Sequence, residues 1–289
     1  MAVSSTTTTK EQEQQEKKVS VEFFHIDMIP DAMDKMNWHV AAKLMRHWFS
    51  IKPAFAFDIA SKDQAVNGDL NNLPPSQINV DIVKMLWALQ FEQVKNGMDA
   101  LKKTWCSPNG KKLLIERLLD IGDYSKKSIS IGYSNNIINL DSTAQVNFKS
   151  IGSKLDTINA WYGAMGNSTL KVCVRGDTKK IEERDVFIVD ALGFYLKDTY
   201  DFVDEGIKPE PLGIWSKDRI LDKTESAIYI SSYTQGVFGR LARSYSGFVP
   251  VFNDDFRFWR EKHGSGGDYI ILSDVHWIKP LESDMVIYL

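Results

Sequence analysis

The chain is poor in the residues on which several common chemistries depend. It has only two cysteines, Cys106 and Cys173, far apart, and five histidines in 289 residues. Two isolated thiols exclude a disulfide framework and a zinc–thiolate cluster, and they make a reducing cytoplasm the natural setting in the producing cell. No apolar run approaches the roughly 18 residues a membrane-spanning helix needs, and the N-terminus MAVSSTTTTKEQEQQEKK lacks the apolar centre of a secretion signal. Charge of either sign is not in excess: Lys and Arg number 35 against 38 Asp and Glu, a net of -3. No global field therefore draws in nucleic acid or an anionic membrane, and nucleic acid is not expected as a partner. Also missing are G-x-x-x-x-G-K-[ST], H-E-x-x-H, G-x-S-x-G and paired C-x-x-C motifs, which disfavours P-loop, zincin, serine-hydrolase and dithiol chemistry.

What is present suits a globular chain, with 43% hydrophobic residues. Residues 1–18 read as a polar, disordered leader. Residues 19–122 read as a helical region. Pro30 fits a first helical turn, and Met33, Met36, Val40, Leu44 and Trp48 share one face of a single long helix. His47 lies beside that stripe as a partly buried histidine with its hydrogen bonds satisfied, and His39 lies on the surface. Pro53, Gly68, Pro74 and Pro75 make 50–79 a long connection. A second helix follows, broken near Gly97, and a third over 111–121 is stopped by Gly122.

Residues 123–289 change to a period of two. In TLKVCVRG, Leu170, Val172 and Val174 face one way and Lys171, Cys173 and Arg175 the other. Gly176 and Asp177 predict a turn into DVFIVDAL, and Gly193 a break before FYLKDTYDF, giving a three-strand meander. Further strands are expected at 248–252, 269–273 and 285–289, with helices near 223–232 and 254–262. The sum is an α+β fold: a helical N-terminal layer packed on a mainly antiparallel, β-rich C-terminal domain that can curl into a partial barrel.

The candidate site opens at DTYDF. In an extended strand Phe194, Leu196, Asp198 and Tyr200 share a face, so Asp198 carries an apolar stripe to a cleft or rim. Asp198, Tyr200 and Asp201 can share acid and base duties, and the two aspartates can hold a divalent metal through oxygen. The same residues also serve as strand-end caps and core aromatics in ordinary folds. In NDDFRFWREKHGSGGDY, Arg257 and Arg260 can clamp an anion, His263 can supply a proton, and Gly264, Gly266 and Gly267 can admit backbone N–H groups to the anion. A solvated basic helix with a glycine turn accounts for that text equally well.

The segments IPDAMDKMNWHVAAKLMRHWF, LKVCVRG, GFYLKDTYDF, PLGIWSKD and NDDFRFWREKHGSGGDYIILSDV resemble an uncharacterised bacterial domain family encoded near type VI secretion and other interbacterial-competition loci, over most of residues 19–289. DTYDF is similar, locally, to the catalytic segment of the colicin M-like bacteriocins, magnesium-dependent hydrolases of the lipid-linked peptidoglycan precursor. That resemblance implies catalytic roles for Asp198, Tyr200 and Asp201 and a bound Mg2+. The colicin M pattern continues with a His-Arg pair, whereas this chain reads VDEGIKPEP, so His263 with Arg257 or Arg260 is the expected substitute. Two functions follow as expectations. One is an antibacterial effector hydrolysing a phosphoester, carried by a secretion-system partner to a target periplasm and restrained by a cognate immunity protein. The other is a non-enzymatic adaptor or immunity-like protein binding through Trp161, Tyr162, Trp215 and Trp259.

Overall fold

The computed structural model describes residues 24–153, 156–204 and 211–289; the leader and the acidic run 205–210 lie outside the described residues. Two helices, α1 (Ile29–Lys35) and α2 (His39–Ser50), stand where one was predicted. Asn37 divides them with a φ of 62°, in the left-handed region that asparagine tolerates better than most residues. Met33, Leu44 and Trp48 of the expected stripe are buried, and Met36 and Val40 pack partly against the core.

A further helix, α3 (Ile59–Asn67), replaces the expected connection. Its start is fixed by a reciprocal cap: Ser61 N–H donates to Asp58 Oδ1 at 2.6 Å and Asp58 N–H donates to Ser61 Oγ at 2.8 Å. Then come β1 (Ile78–Asn79), α4 (Met85–Ala88), α5 (Glu92–Thr104) and α6 (Pro108–Ile121). The break falls at 89–91 and not at Gly97. Gly97 stays helical and permits close approach, since a Cβ there would lie 2.8 Å from Ile151 Cγ2.

After β2 (Ser130–Ile131), α7 (Ile137–Thr143), β3 (Gln145–Ile151) and α8 (Ala160–Ala164), two long strands carry the sheet, β4 (Ser168–Ile181) and β5 (Arg184–Tyr200). They form one hairpin instead of three strands. The reversal is made by Glu182 and Glu183, with φ of 47° and 65°, and both glycines read as punctuation lie inside strands. Gly176 sits at a register shift between β4 and β5, and Gly193 faces Cys173, Val275 and Trp277, whose side chains would lie 2.6–2.8 Å from a Cβ. Glycine here marks close packing, not a turn. Gly193→Ala is therefore expected to destabilise the fold by about 1–3 kcal/mol through overpacking, read as a lowered urea midpoint; an unchanged midpoint would contradict the packing argument.

The remaining elements are β6 (Pro211–Trp215), α9 (Lys223–Thr234), α10 (Phe238–Ser244), β7 (Val249–Phe252), α11 (Asn253–His263), β8 (Tyr269–Leu272), β9 (His276–Ile278) and β10 (Val286–Tyr288). The main sheet runs β1-β8-β5-β4-β2, with β3 on β4 and β9 and β10 on β5, and β6 pairs β7 separately. Each of these strand pairings is antiparallel except β1 on β8. The curled mixed sheet forms a half-barrel, so the architecture is α+β.

The predicted alternation decides what each face of the sheet carries. Leu170, Val172 and Val174 of β4 and Leu192, Phe194 and Leu196 of β5 join the main core with Trp48, Val94 and Leu114. Cys173 and Tyr195 point to a second, smaller core with Phe57, Leu140 and Ile270. Burial pushes the Cys173 thiol up to about 12, so at neutral pH it is a small packed side chain and not a nucleophile. Two other expectations are corrected. Trp161 and Trp215 are buried and cannot form an exposed aromatic binding surface. His47 packs edge-on against Tyr269 at 4.7 Å, and its Nε2 has no hydrogen-bond partner among the described residues; burial lowers its pKa.

Candidate functional site

The end of β5 delivers its polar side chains into a cavity. Asp198 lies opposite Ile271 and Tyr200 opposite Tyr269 in the β5–β8 register, which keeps both on the face of Phe194 and Leu196. Tyr200 stacks on Tyr269, ring centroids 5.4 Å apart. Past the strand end Val203 N–H donates to Asp201 Oδ1 at 3.0 Å, an Asx-type turn that swings Asp201 back toward the residues it would otherwise face away from. Phe202 anchors this turn by stacking on Phe256 at 3.8 Å and meeting Trp48 edge-on at 4.9 Å.

The cavity has a volume of about 820 Å³, within the range of small-molecule sites. Its lining combines Asp198, Thr199, Tyr200, Asp201 and Lys62 with a largely apolar wall that includes Met33, Trp38, Met45, Met165, Leu212 and Trp215. Lys62 comes from α3, and its Nζ lies 3.2 Å from Asp201 Oδ2. The pair is largely shielded, with the Asp201 side chain 6% exposed, which strengthens the attraction relative to a surface pair.

Asp198 has a different environment. Its Oδ1 accepts the Thr199 N–H at 2.8 Å. Burial pushes its carboxyl well above the ordinary carboxylate range, the negative charge of Asp201 adds to this, and the Thr199 N–H and Lys62 only partly oppose it. One carboxyl of the cavity thus favours the protonated form while its neighbour is held against an ammonium. Burial also raises Tyr200, whose phenol stays neutral and can donate.

Asp198, Tyr200 and Asp201 are therefore brought together, and the other predicted residues are not. Arg257 donates to Phe202 O at 2.7 Å and to Asp204 at 2.6 Å and pairs with Asp254, bracing the turn behind Asp201. Arg260 donates to Asp268 at 3.1 Å and to Phe55 O at 3.2 Å and lies over the Trp48 ring. His263 is exposed at the end of α11, stacked on Trp259 at 4.2 Å with Nδ1 2.8 Å from Trp259 O. None of the three lines the cavity. The glycine loop serves packing: Gly266, at φ 95°, lies so close to the Trp48 ring that a Cβ would meet it at 2.7 Å.

The donor set does not fit a divalent cation. Asp201 is engaged by Lys62 and the Val203 N–H, burial disfavours charge on Asp198, and among the described residues no group of three or more His, Cys, Asp or Glu could hold a metal ion. The positive charge at this place comes from Lys62, the residue that sequence reasoning missed. The available signal was Asp58-x-x-Ser61, a helix start inside a stretch whose prolines read as a connection.

Residues 24–289 match the DUF6402 family, a family of unknown function, and the chain belongs to it. No curated protein and no solved structure matches the chain. No helix among the described residues is long and apolar enough to cross a membrane.

Proposed function

We propose, for a member of a family that carries no assigned activity, that the Asp198–Asp201 cavity hydrolyses a phosphoester of an amphiphilic substrate of the lipid-linked precursor kind. The observation that carries the reading is the unequal environment of two carboxyls in one cavity, since such a pair divides into acid and base. Asp201, paired with Lys62, takes a proton from water as the water oxygen attacks phosphorus. Lys62 draws the phosphate oxygens in and offsets the charge that grows on them. The P–O bond to the lipid breaks, and protonated Asp198 gives its proton to the departing oxygen, leaving an alcohol and a phosphate. The Tyr200 phenol is a further donor to the phosphate, and the apolar wall suits a hydrocarbon chain beside that polar group.

An antibacterial effector role follows from this chemistry together with the resemblance of DTYDF to the colicin M-like segment. Its test is expression in the periplasm of a sensitive bacterium of the parent chain, Asp201→Asn and His263→Ala. The parent and His263→Ala are expected to be toxic, and Asp201→Asn inert though folded. Equal toxicity of all three folded proteins would defeat the reading. The non-enzymatic alternative draws support from a different place, α9 and α10, where Ile230, Tyr233, Val237 and Phe238 are exposed; it predicts a stoichiometric protein partner whose capture survives Asp201→Asn.

A further inference from the structure

The opposite face of the same two strands carries a second polar cavity. In the β4–β5 register Lys171 lies opposite Tyr195 and Thr169 opposite Lys197, so these side chains converge on the face away from Asp198. There they line or underlie a cavity of about 360 Å³, closed by Asp141 and Ser142 of α7, Arg117 of α6 and the segment 66–70. Asp141 is the hub. Its Oδ1 accepts from Lys171 Nζ at 2.5 Å and from the Tyr195 hydroxyl, and its Oδ2 accepts from Lys197 Nζ at 2.9 Å.

This cluster is buried and unbalanced. The side chains of Lys171, Lys197 and Asp141 are only 12%, 3% and 6% exposed, so two ammonium groups share one carboxylate out of water. Arg117 adds a third cation, and the other acid on the lining, Asp69, sits on an exposed rim with its carboxylate bonded to Asn71. Burying uncompensated charge is costly, so a counter-anion stabilises such a site. The donors are unspent as well. An ammonium has three N–H groups, and each lysine spends one on Asp141. Among the described residues Arg117 bonds only through Nε, to Gln145 O at 3.4 Å, which leaves its terminal nitrogens to the cavity. The electrostatics agree: burial lowers Lys171, Asp141 opposes this, and Lys197 and Arg117 lower it further.

We propose that this cavity binds the phosphate group of a small phosphorylated molecule, held by Lys171, Lys197 and Arg117 with the Thr169 and Ser142 hydroxyls. Cations arriving from three elements suit a tetrahedral dianion better than a planar carboxylate, which a single guanidinium fork would satisfy. The volume exceeds that of a bare phosphate and leaves room for an organic portion. Because Lys197 and Asp198 point to opposite faces of the sheet, this site is independent of the hydrolytic one.

The test is isothermal titration of the full chain with inorganic phosphate, with acetate and chloride at matched ionic strength as controls. Saturable binding of one phosphate per chain is expected, weakened at least about tenfold in Arg117→Gln and in Lys197→Met and unchanged in Asp198→Asn. Arg117 is partly exposed, so its variant keeps the test available if Lys197→Met does not fold. No saturable phosphate binding by the folded parent, equal affinity in parent and Arg117→Gln, or acetate binding as tightly as phosphate would each overturn the proposal.

Discussion

Replacing Asp198 with asparagine is expected to slow hydrolysis severely and, at the same time, to make the protein more stable at neutral pH. The loss of rate is about 10²- to 10⁴-fold, the usual contribution of a positioned proton donor, because an amide has no proton of comparable acidity to give the leaving oxygen. The gain in stability comes from the same burial. In the unfolded chain an aspartate titrates near 3.9, whereas in the folded cavity burial and the charge of Asp201 raise Asp198 well above that. Between those two values the folded state holds the proton and the unfolded state does not. The stabilisation is therefore complete below about pH 4 and is lost as pH rises toward the folded pKa. Asparagine does not titrate, so the variant lacks this fall and gains on the order of 1–3 kcal/mol at neutral pH, the scale of a desolvated polar group. Urea midpoints of parent and variant measured from pH 4 to pH 8 should diverge as pH rises. Parallel curves would mean that Asp198 is an ordinary, ionised aspartate.

The largest expected structural loss lies behind the cavity, at Asp268. This carboxylate, 1% exposed, accepts the Trp48 indole N–H at 2.8 Å, the Phe57 N–H at 2.9 Å and Arg260 Nη1 at 3.1 Å. It ties α2, the strand-like segment at Phe57 and α11 into one unit, and Trp48 in turn meets Phe202, the anchor of the turn that aims Asp201. Asp268→Ala leaves the Trp48 and Phe57 N–H groups without this acceptor and strips its carboxylate from a guanidinium whose side chain is 11% exposed and which keeps only Phe55 O. Removing one partner of a buried pair costs about 3–5 kcal/mol, mostly as the penalty on the stranded charge. Arg260→Met added to Asp268→Ala should then recover part of the loss, since no charge remains unpaired. If the double variant is as unstable as the sum of the single variants, the stranded charge is not what destabilises Asp268→Ala.

The legible parts of the molecule were those governed by local periodicity. Alternation along β4 and β5 assigned Leu170, Val172 and Val174 to one face and Lys171 and Cys173 to the other, and it put Asp198 and Tyr200 at the head of the apolar stripe. Three things could not be read locally. Gly176 and Gly193 signal either a turn or a close approach, and only the neighbouring strands, with Cys173, Val275 and Trp277 crowding Gly193, decide for the latter. The spacing of Arg257, Arg260 and His263 makes them neighbours on a helix, but which way α11 faces depends on Asp204 and Asp268, and these turn both arginines to bracing roles. Lys62 carries no local mark of function. It becomes a site residue only because α3 packs beside the end of β5, where its ammonium meets Asp201.

The central claim, that this cavity is a hydrolytic site worked by Asp198, Asp201 and Lys62, is tested most directly by release of the free polyprenol from a polyprenyl-diphosphate-linked substrate. Release by the parent and by His263→Ala, slowed at least about 100-fold in folded Asp198→Asn and Lys62→Met, is the predicted result. Release that continues undiminished in folded Asp198→Asn would contradict it.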